Sequence, residues 1–450
     1  MAHHRYNKYK DCDIPWVKEI PEEWLVTEVR NVFSKNDTKN EKLEENNLLT
    51  LSYGSIKRKS INTAGGLLPA TFDSYQILTK GMIVLRMLDL QNDKNSLRVG
   101  YVPERGIITS AYIGLDSKIE CNTKYFYYLL HFMDLIKHFY NGGGGVRQSI
   151  GFTDFRREQI VLPSATEQTT IANFLDYKLE KINRFITKKK QLIELLKEQK
   201  TAVINQAVTT GINPNTKLKN SGIEWLGDIP VHWKVWKFKH FTKILSGYSP
   251  EQVTFTKTGL DYFKVEQLNN VDEKYRLKNS TWNILSTSIN KIHPTNILLI
   301  PKRGGAIGTN KIAITTNKCA FDTNVMGLKL NDTIVNIDFI ALWIKNRNLI
   351  EIADTTTIPQ INNKHINPLQ IALPDLIEQQ LIFENLKCKT TKIDKTIAAI
   401  EKEITLVEEY KTALIAEAVT GKIDVRDFKV PTTEEPLEMV AEKRVNYEKA

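Results

Sequence analysis

The chain has little cysteine, and none of it is placed for chemistry. Cys12, Cys121, Cys319 and Cys388 form no C-x-x-C pair and have no histidine close by in sequence. That spacing argues against a zinc site or a disulfide frame and predicts reduced thiols in a cytoplasmic protein. His3-His4 is too short for a metal tract. No apolar run reaches about 18 residues, so no membrane span is expected, and no signal peptide is expected either. Catalytic motifs are missing too. There is no [DN]-P-P-[YF] to hold an amine for methylation, no G-x-x-x-x-G-K-[ST] phosphate loop, no H-E-x-x-H and no G-x-S-x-G. No carboxylate–lysine set of a nuclease stands out. Residues 304–311 resemble a phosphate loop but lack Lys-Thr after the last glycine, and they read as a hairpin turn. Gly142 to Gly145 lack a strand–turn–helix frame and read as a flexible loop. These absences describe a reader and scaffold, with no catalytic residue and no metal site.

What the chain does have, it has twice. Trp16-Val-Lys-Glu-Ile20-Pro21-Glu-Glu-Trp24 returns as Trp225-Leu-Gly-Asp-Ile229-Pro230-Val-His-Trp233. Residues 162–209 return at 373–420, a shift of 211, with 20 identities over 48 ungapped positions. Duplication at this length predicts a pseudo-two-fold molecule suited to a target with two half-sites. The charge points to a polyanion: 62 Lys+Arg against 52 Asp+Glu give +10. The plainer alternative is an ordinary basic protein.

Each repeat opens with a globular block of short β-like runs, among them 48–51, 82–85, 99–102 and 107–109 in the first and 297–300 and 312–314 in the second. One helix is predicted inside each, over 123–140 and from 338 to about 348. Each block ends at a Leu-Pro pair, and Glu167-Gln168 or Glu378-Gln379 follows in the first turn of a long helix. Apolar residues then recur at alternating steps of three and four: Leu175, Leu179, Ile182, Ile186 and Ile193 in the first helix, Leu386, Ile393, Ile397, Ile400 and Ile404 in the second. Each such helix is roughly 65 Å long, longer than a block of roughly 30–35 Å, so its seam is expected to pack on the other helix rather than on its own block. Lys200 and Lys411 occupy matching seam positions, either setting register or snorkelling into water.

The fold class is therefore α+β, with two globular α/β-mixed blocks separated by two long helices forming an antiparallel coiled coil. The expected divisions are 1–165 (block one), 166–210 (helix), 211–376 (block two), 377–425 (helix) and 426–450 (a polar tail).

Candidate DNA-reading residues lie in both blocks. In the first they are Lys57, Arg58, Lys59, Arg86, Arg98, Arg105, Arg147 and Gln148. In the second they are Lys302, Arg303, Lys311, Gln360, Asn362, Asn363 and Lys364. Arginine bonds guanine bidentately, glutamine and asparagine do so to adenine, and lysine suits phosphate. The competing reading of each is a solvated charge on an exposed face.

Trp-x-x-x-Ile-Pro-x-x-Trp and Leu-Pro-x-x-x-Glu-Gln, each present twice, make the chain resemble the specificity (S) subunit of type I restriction–modification enzymes over nearly its whole length. The resemblance implies that each block is a target recognition domain reading one half of a bipartite, asymmetric double-stranded DNA site. It implies that the helices set the spacer, that two methyltransferase (M) subunits bind, and that motor–nuclease (R) subunits join for restriction. The chain itself would bind no cofactor, and S-adenosylmethionine would be held by the methyltransferase partners for adenine N6 methylation. Thr166 and Ile377 depart from the family's junction pattern. From the residues alone, a self-contained DNA-modifying enzyme or nuclease with an unrecognised site remains open, as does a coiled-coil scaffold without a DNA role.

Overall fold

The computed structural model describes residues 4–61, 69, 71–91, 97–141, 148–249, 255–256, 258–272, 274–285, 291–355 and 358–431. Arg147, the glycines at 142–145 and the tail beyond 431 lie outside the described residues. The chain divides into two compact units, residues 1–190 with 401–450, and residues 191–400. Each unit contains a segment of both long helices.

In the first unit an antiparallel hairpin, Tyr9–Ile14 with Val17–Pro21, leads to the buried Trp24. Strand Leu25–Glu28 then pairs with Gln159–Leu162, the last strand of the block, so the block begins and ends on one ladder. Between them lies a four-stranded antiparallel sheet ordered Phe33–Lys35, Ile113–Ser117, Ile83–Leu85, Val99–Tyr101. Helix Thr123–Leu135 buries Phe126, Leu129, Leu130 and Met133, the i, i+3, i+4, i+7 face its spacing predicts. This helix ends five residues before the sequence reading placed its end. Lys137 adopts φ 61°, a left-handed conformation that no regular helix continues through, and a 3-10 turn follows at His138–Asn141.

The second unit repeats the plan. Hairpin Leu218–Asn220 with Asp228–Pro230 precedes the buried Trp233, and Lys234–Lys237 pairs with Gln370–Leu373. Its four-stranded sheet is ordered Thr242–Ser246, Val325–Leu330, Ile297–Pro301, Ala313–Ile314, covered by helix Ile337–Arg347. An additional sheet of Phe255–Thr256, Asn283–Ile284, Leu260–Phe263 and Cys319–Phe321 is mixed, its last pair parallel.

The long helices run over Ala165–Thr210 and Leu376–Val419. Their repeated Gln has a specific task. Gln168 donates to the Pro163 carbonyl (2.9 Å) and accepts from the Asn122 amide (3.0 Å). Gln379 likewise donates to the Pro374 carbonyl (3.0 Å) and accepts from the Asn336 amide (2.8 Å). Asn122 and Asn336 are the N-caps of the two block helices. The Gln thus bolts the start of the long helix to the start of the helix inside the block. The Glu before it binds the opening aromatics: Tyr6 donates its hydroxyl to Glu167 (2.5 Å), and the Trp233 indole donates to Glu378 (3.2 Å). Replacing Gln168 or Gln379 with Ala strands a buried amide and a carbonyl. The expected cost is about 1–3 kcal/mol, read as a lower midpoint in urea unfolding.

Apolar seam residues are buried in each unit: Leu175, Leu179, Ile182, Val407 and Leu414 in the first, Ala207, Phe383 and Leu386 in the second. Within the first unit Asn183 meets Lys411 (2.9 Å) and Lys189 meets Glu403 (2.7 Å), so numbers rise on one helix as they fall on the other. Within the second, Lys200 pairs with Asp394 at 2.7 Å. Both seam lysines therefore reach a polar partner on the facing helix instead of extending into water. Burial lowers the affinity of Lys411 for its proton, which the nearby Glu408 partly offsets.

Candidate nucleic-acid interface

One arrangement recurs in both units and gathers most of the sequence-nominated polar residues. The segment that follows the central strand is pinned by the segment that precedes a one-turn helix at the end of the block. In the first unit Ile150 donates to the Met87 carbonyl and Leu90 to that of Gln148, both at 3.0 Å. In the second, Ile361 donates to the Lys302 carbonyl and Gly304 to that of Pro359, both at 2.9 Å. The residues 148–150 and 359–361 are related by the same shift of 211 that relates the long helices. The one-turn helices Phe152–Phe155 and Asn363–Ile366 follow directly.

In the second unit this pairing brings Lys302, Arg303, Gln360, Asn362, Asn363 and Lys364 together. Arg303 and Gln360 are bridge partners through their backbones. Asn362 caps the Asn363–Ile366 turn in a reciprocal bond with His365. The side chains of Lys302, Arg303, Lys311, Gln360, Asn363 and Lys364 make no hydrogen bond or ion pair among the described residues. Arg303, Asn363 and Lys364 are exposed, and Lys302, Lys311 and Gln360 are half-buried. Lys311 closes the connection between strands Ile297–Pro301 and Ala313–Ile314, which is a hairpin as expected, but one carrying a helical turn at Gly305–Gly308. Its base is braced by Asn310, which donates to the Lys345 carbonyl (2.7 Å) and accepts from the Leu349 amide (3.1 Å). Burial holds the Lys345 ammonium below its ordinary pKa while it donates to the Asn310 carbonyl.

The first unit distributes its candidates differently. Arg86 and Gln148 lie at the pinned loop. Arg98 is there as well but cannot face a duplex, because it is 0% exposed. Its guanidinium donates to the Tyr140 hydroxyl (2.9 Å) and to the Leu88 and Asp89 carbonyls (2.5 and 3.2 Å). Arg98 is thus an internal brace for the loop that Arg86 begins, and it is withdrawn from the DNA-contact set. Buried arginine is rare unless its donors are satisfied, as they are here.

Lys57, Arg58 and Lys59 belong to a separate hairpin, Leu49–Ser52 with Ser55–Arg58. Its two-residue turn places Tyr53 at φ 46° and Gly54 at φ 76°, the left-handed pair that matches strand twist. Arg58 is ion-paired with Glu104, and Arg105 with Glu44 and Glu45. Lys57 and Lys59 carry no such partner among the described residues.

A cationic group not singled out from sequence lies in the additional sheet of the second unit. Lys264 lies over the rings of Phe255 (4.8 Å) and Trp282 (4.6 Å), and the Trp282 indole donates to Glu266 (3.1 Å). These residues are too far apart in sequence for any spacing rule to join them.

A family model described as "Type I restriction modification DNA specificity domain" matches residues 21–195 and 230–409. Two relatives from Methanocaldococcus jannaschii bear the names of type I restriction enzyme specificity subunits. The MjaX subunit is 26% identical over 323 residues, 67% of this chain and 68% of that one. The MjaVIII subunit is 24% identical over 343 residues, 73% and 77% of the two chains. The fold is shared with the HsdS subunit from Thermoanaerobacter tengcongensis, at TM-score 0.53 and 14% identity, covering 90% of this chain and 98% of that one. It is shared more closely with a chain from a structural study of "complex assembly and conformational transition of the type I R-M system", at TM-score 0.68 and 14% identity, covering 90% and 99%.

Proposed function

The chain belongs to the type I restriction modification DNA specificity family and is a DNA-recognition component of such a system; from that premise we propose that it reads a bipartite, asymmetric duplex site, one half per block. The observation that carries this reading is the repeated pinned loop, which follows the same strand of the sheet in each unit and in the second gathers Lys302, Arg303, Gln360 and Asn363. The antiparallel helices form a coiled coil whose length sets the spacer between the halves. Two methyltransferase subunits bind the chain and methylate adenine N6 with S-adenosylmethionine held on those subunits, and motor–nuclease subunits add restriction. The chain contributes no catalytic group and no cofactor. It acts by fixing where on the duplex its partners work.

Phosphate contacts give affinity without sequence information, whereas base contacts discriminate. Lys311, at the base of the loop, is assigned to phosphate. Lys311→Ala is expected to weaken binding to all duplexes alike and to lower the salt slope by about one. Gln360 is assigned to a base edge. Gln360→Ala is expected to cost on the order of 1–3 kcal/mol on the cognate duplex and little on a random one. Salt titrations by fluorescence anisotropy on both duplexes separate the two. Equal losses on cognate and random DNA for both variants would sink direct readout at this loop.

A further inference from the structure

The fold accounts for 13 of the 16 glycines among the described residues. Eight of them have positive φ, including Gly54, Gly211 and Gly421. Five more have no room for a side chain: a Cβ on Gly100 would lie 2.7 Å from Leu51 Cδ1, and one on Gly327 would lie 2.8 Å from the Phe321 ring. Three remain, Gly151, Gly305 and Gly308. None has positive φ, and a Cβ built on any of them meets nothing within 4 Å. Folding alone would accept alanine at Gly305 and Gly308, and in a helical turn would favour it.

All three lie at the pinned loops. Gly151 follows Ile150, the residue that holds the first unit's loop, and Gly305 follows Gly304, the residue held in the second. Gly305 and Gly308 are three apart on one helical turn and so share a face. Ile307 between them is buried at 0% exposure and fixes the turn's orientation, leaving both glycines exposed. The pinned segments around the turn carry exposed Arg303, Asn363 and Lys364 and half-buried Lys302, Lys311 and Gln360. The acids nearby are Glu351, on the helix Leu349–Ile352 that packs on the turn and ion-paired with Arg347, and Asp354, whose backbone bridges Gln360. A polyanion that comes within van der Waals distance of the main chain needs a backbone without side chains at the point of approach and cations around it.

We propose that Gly305 and Gly308 are bare because duplex DNA rests directly on the backbone of loop 304–311, which makes this loop the point of closest approach between the second unit and the duplex. This rests on the reading of the chain as a bipartite-site reader. Ile307, Asn310 and the two pins hold the loop rigid before DNA arrives, so a side chain added at either glycine stands between protein and duplex and cannot be accommodated by loop movement.

The test uses the full chain with its methyltransferase partner, in wild-type form and as Gly305→Ala, Gly308→Ala and the bulkier Gly308→Leu. Binding is read by anisotropy on a labelled duplex bearing the motif methylated in the host, and on a second duplex with the half-site read by the second block scrambled. The alanine variants are expected to melt at or above the wild-type temperature and to bind the intact duplex about tenfold more weakly, with a larger loss for Gly308→Leu. Affinity for the scrambled duplex is expected to fall as well, because the added side chain blocks close approach whatever the sequence. Variants that bind the intact duplex like wild type would overturn the proposal. So would a lowered melting temperature of the alanine variants, which would mean that the fold itself requires the glycines. A wild-type complex that fails to distinguish the two duplexes would instead overturn the underlying reading of bipartite recognition.

Discussion

Deleting residues 192–195 from the first long helix together with residues 399–402 from the second is expected to shorten the spacer between the half-sequences by about one or two base pairs. Both half-sequences should be unchanged. Four helical residues span about 6 Å, and duplex DNA rises about 3.4 Å per base pair. The deletion has to be paired. The helices are tied on one side of it by Lys189–Glu403 and on the other by Lys200–Asp394, so shortening only one leaves the other too long between fixed ties. Four residues turn a helix by roughly 400°, a net 40° that local unwinding absorbs. Removing two residues from each turns the seam by roughly 200° and presents its polar face to the partner helix. That variant is expected to lose methylation altogether. Mapping methylated sites in hosts carrying each variant checks both outcomes, and an active four-residue variant with an unchanged spacer would show that the helices do not set it.

Exchanging residues 25–162 for the corresponding block of a relative is expected to change one half of the recognised sequence and leave the other half and the spacer as they were. The cut points follow from the fold. Leu25 is the ladder partner of Leu162 and Glu28 that of Gln159, so both ends of the block leave through one strand pair. The whole pair travels with the block, and the bolt formed by Gln168 and Asn122 can re-form because the Asn122 contact is made by its backbone amide. Each wrong base pair typically costs about 1–3 kcal/mol, so several in one half remove binding to the old site by orders of magnitude. Methylated-site mapping of the exchange strain reads the outcome, and a change in both halves would mean that the blocks do not read independently.

The duplication was legible in the sequence because long amphipathic helices and Leu-Pro junctions survive as pattern. The seam face and the helix starts follow from spacing and proline alone. The strands of the sheets were legible only in part, since runs of three residues such as Ile83–Leu85 give periodicity little to act on. The interface was less legible still. Nothing in Arg98-Val-Gly-Tyr separates a buried brace from an exposed reader, because its partners, Asp134 and Tyr140, come from a distant helix and turn. Arg58 and Arg105 look like free cations in sequence, and their carboxylate partners become neighbours only when the hairpin folds. The shift of 211 relating Ile150 to Ile361 was present in the sequence, but it became informative only once both were seen to pin the same kind of loop.

The central claim is that one chain reads two half-sites at a fixed separation. The most direct measurement is single-molecule mapping of methylated adenines in a host that lacks other methyltransferases and expresses this chain with its methyltransferase partner. The account predicts a single asymmetric motif, two short defined sequences separated by a spacer of constant length, with adenine methylated in each half. A continuous motif, two halves at variable spacing, or no methylation that depends on this chain would contradict it.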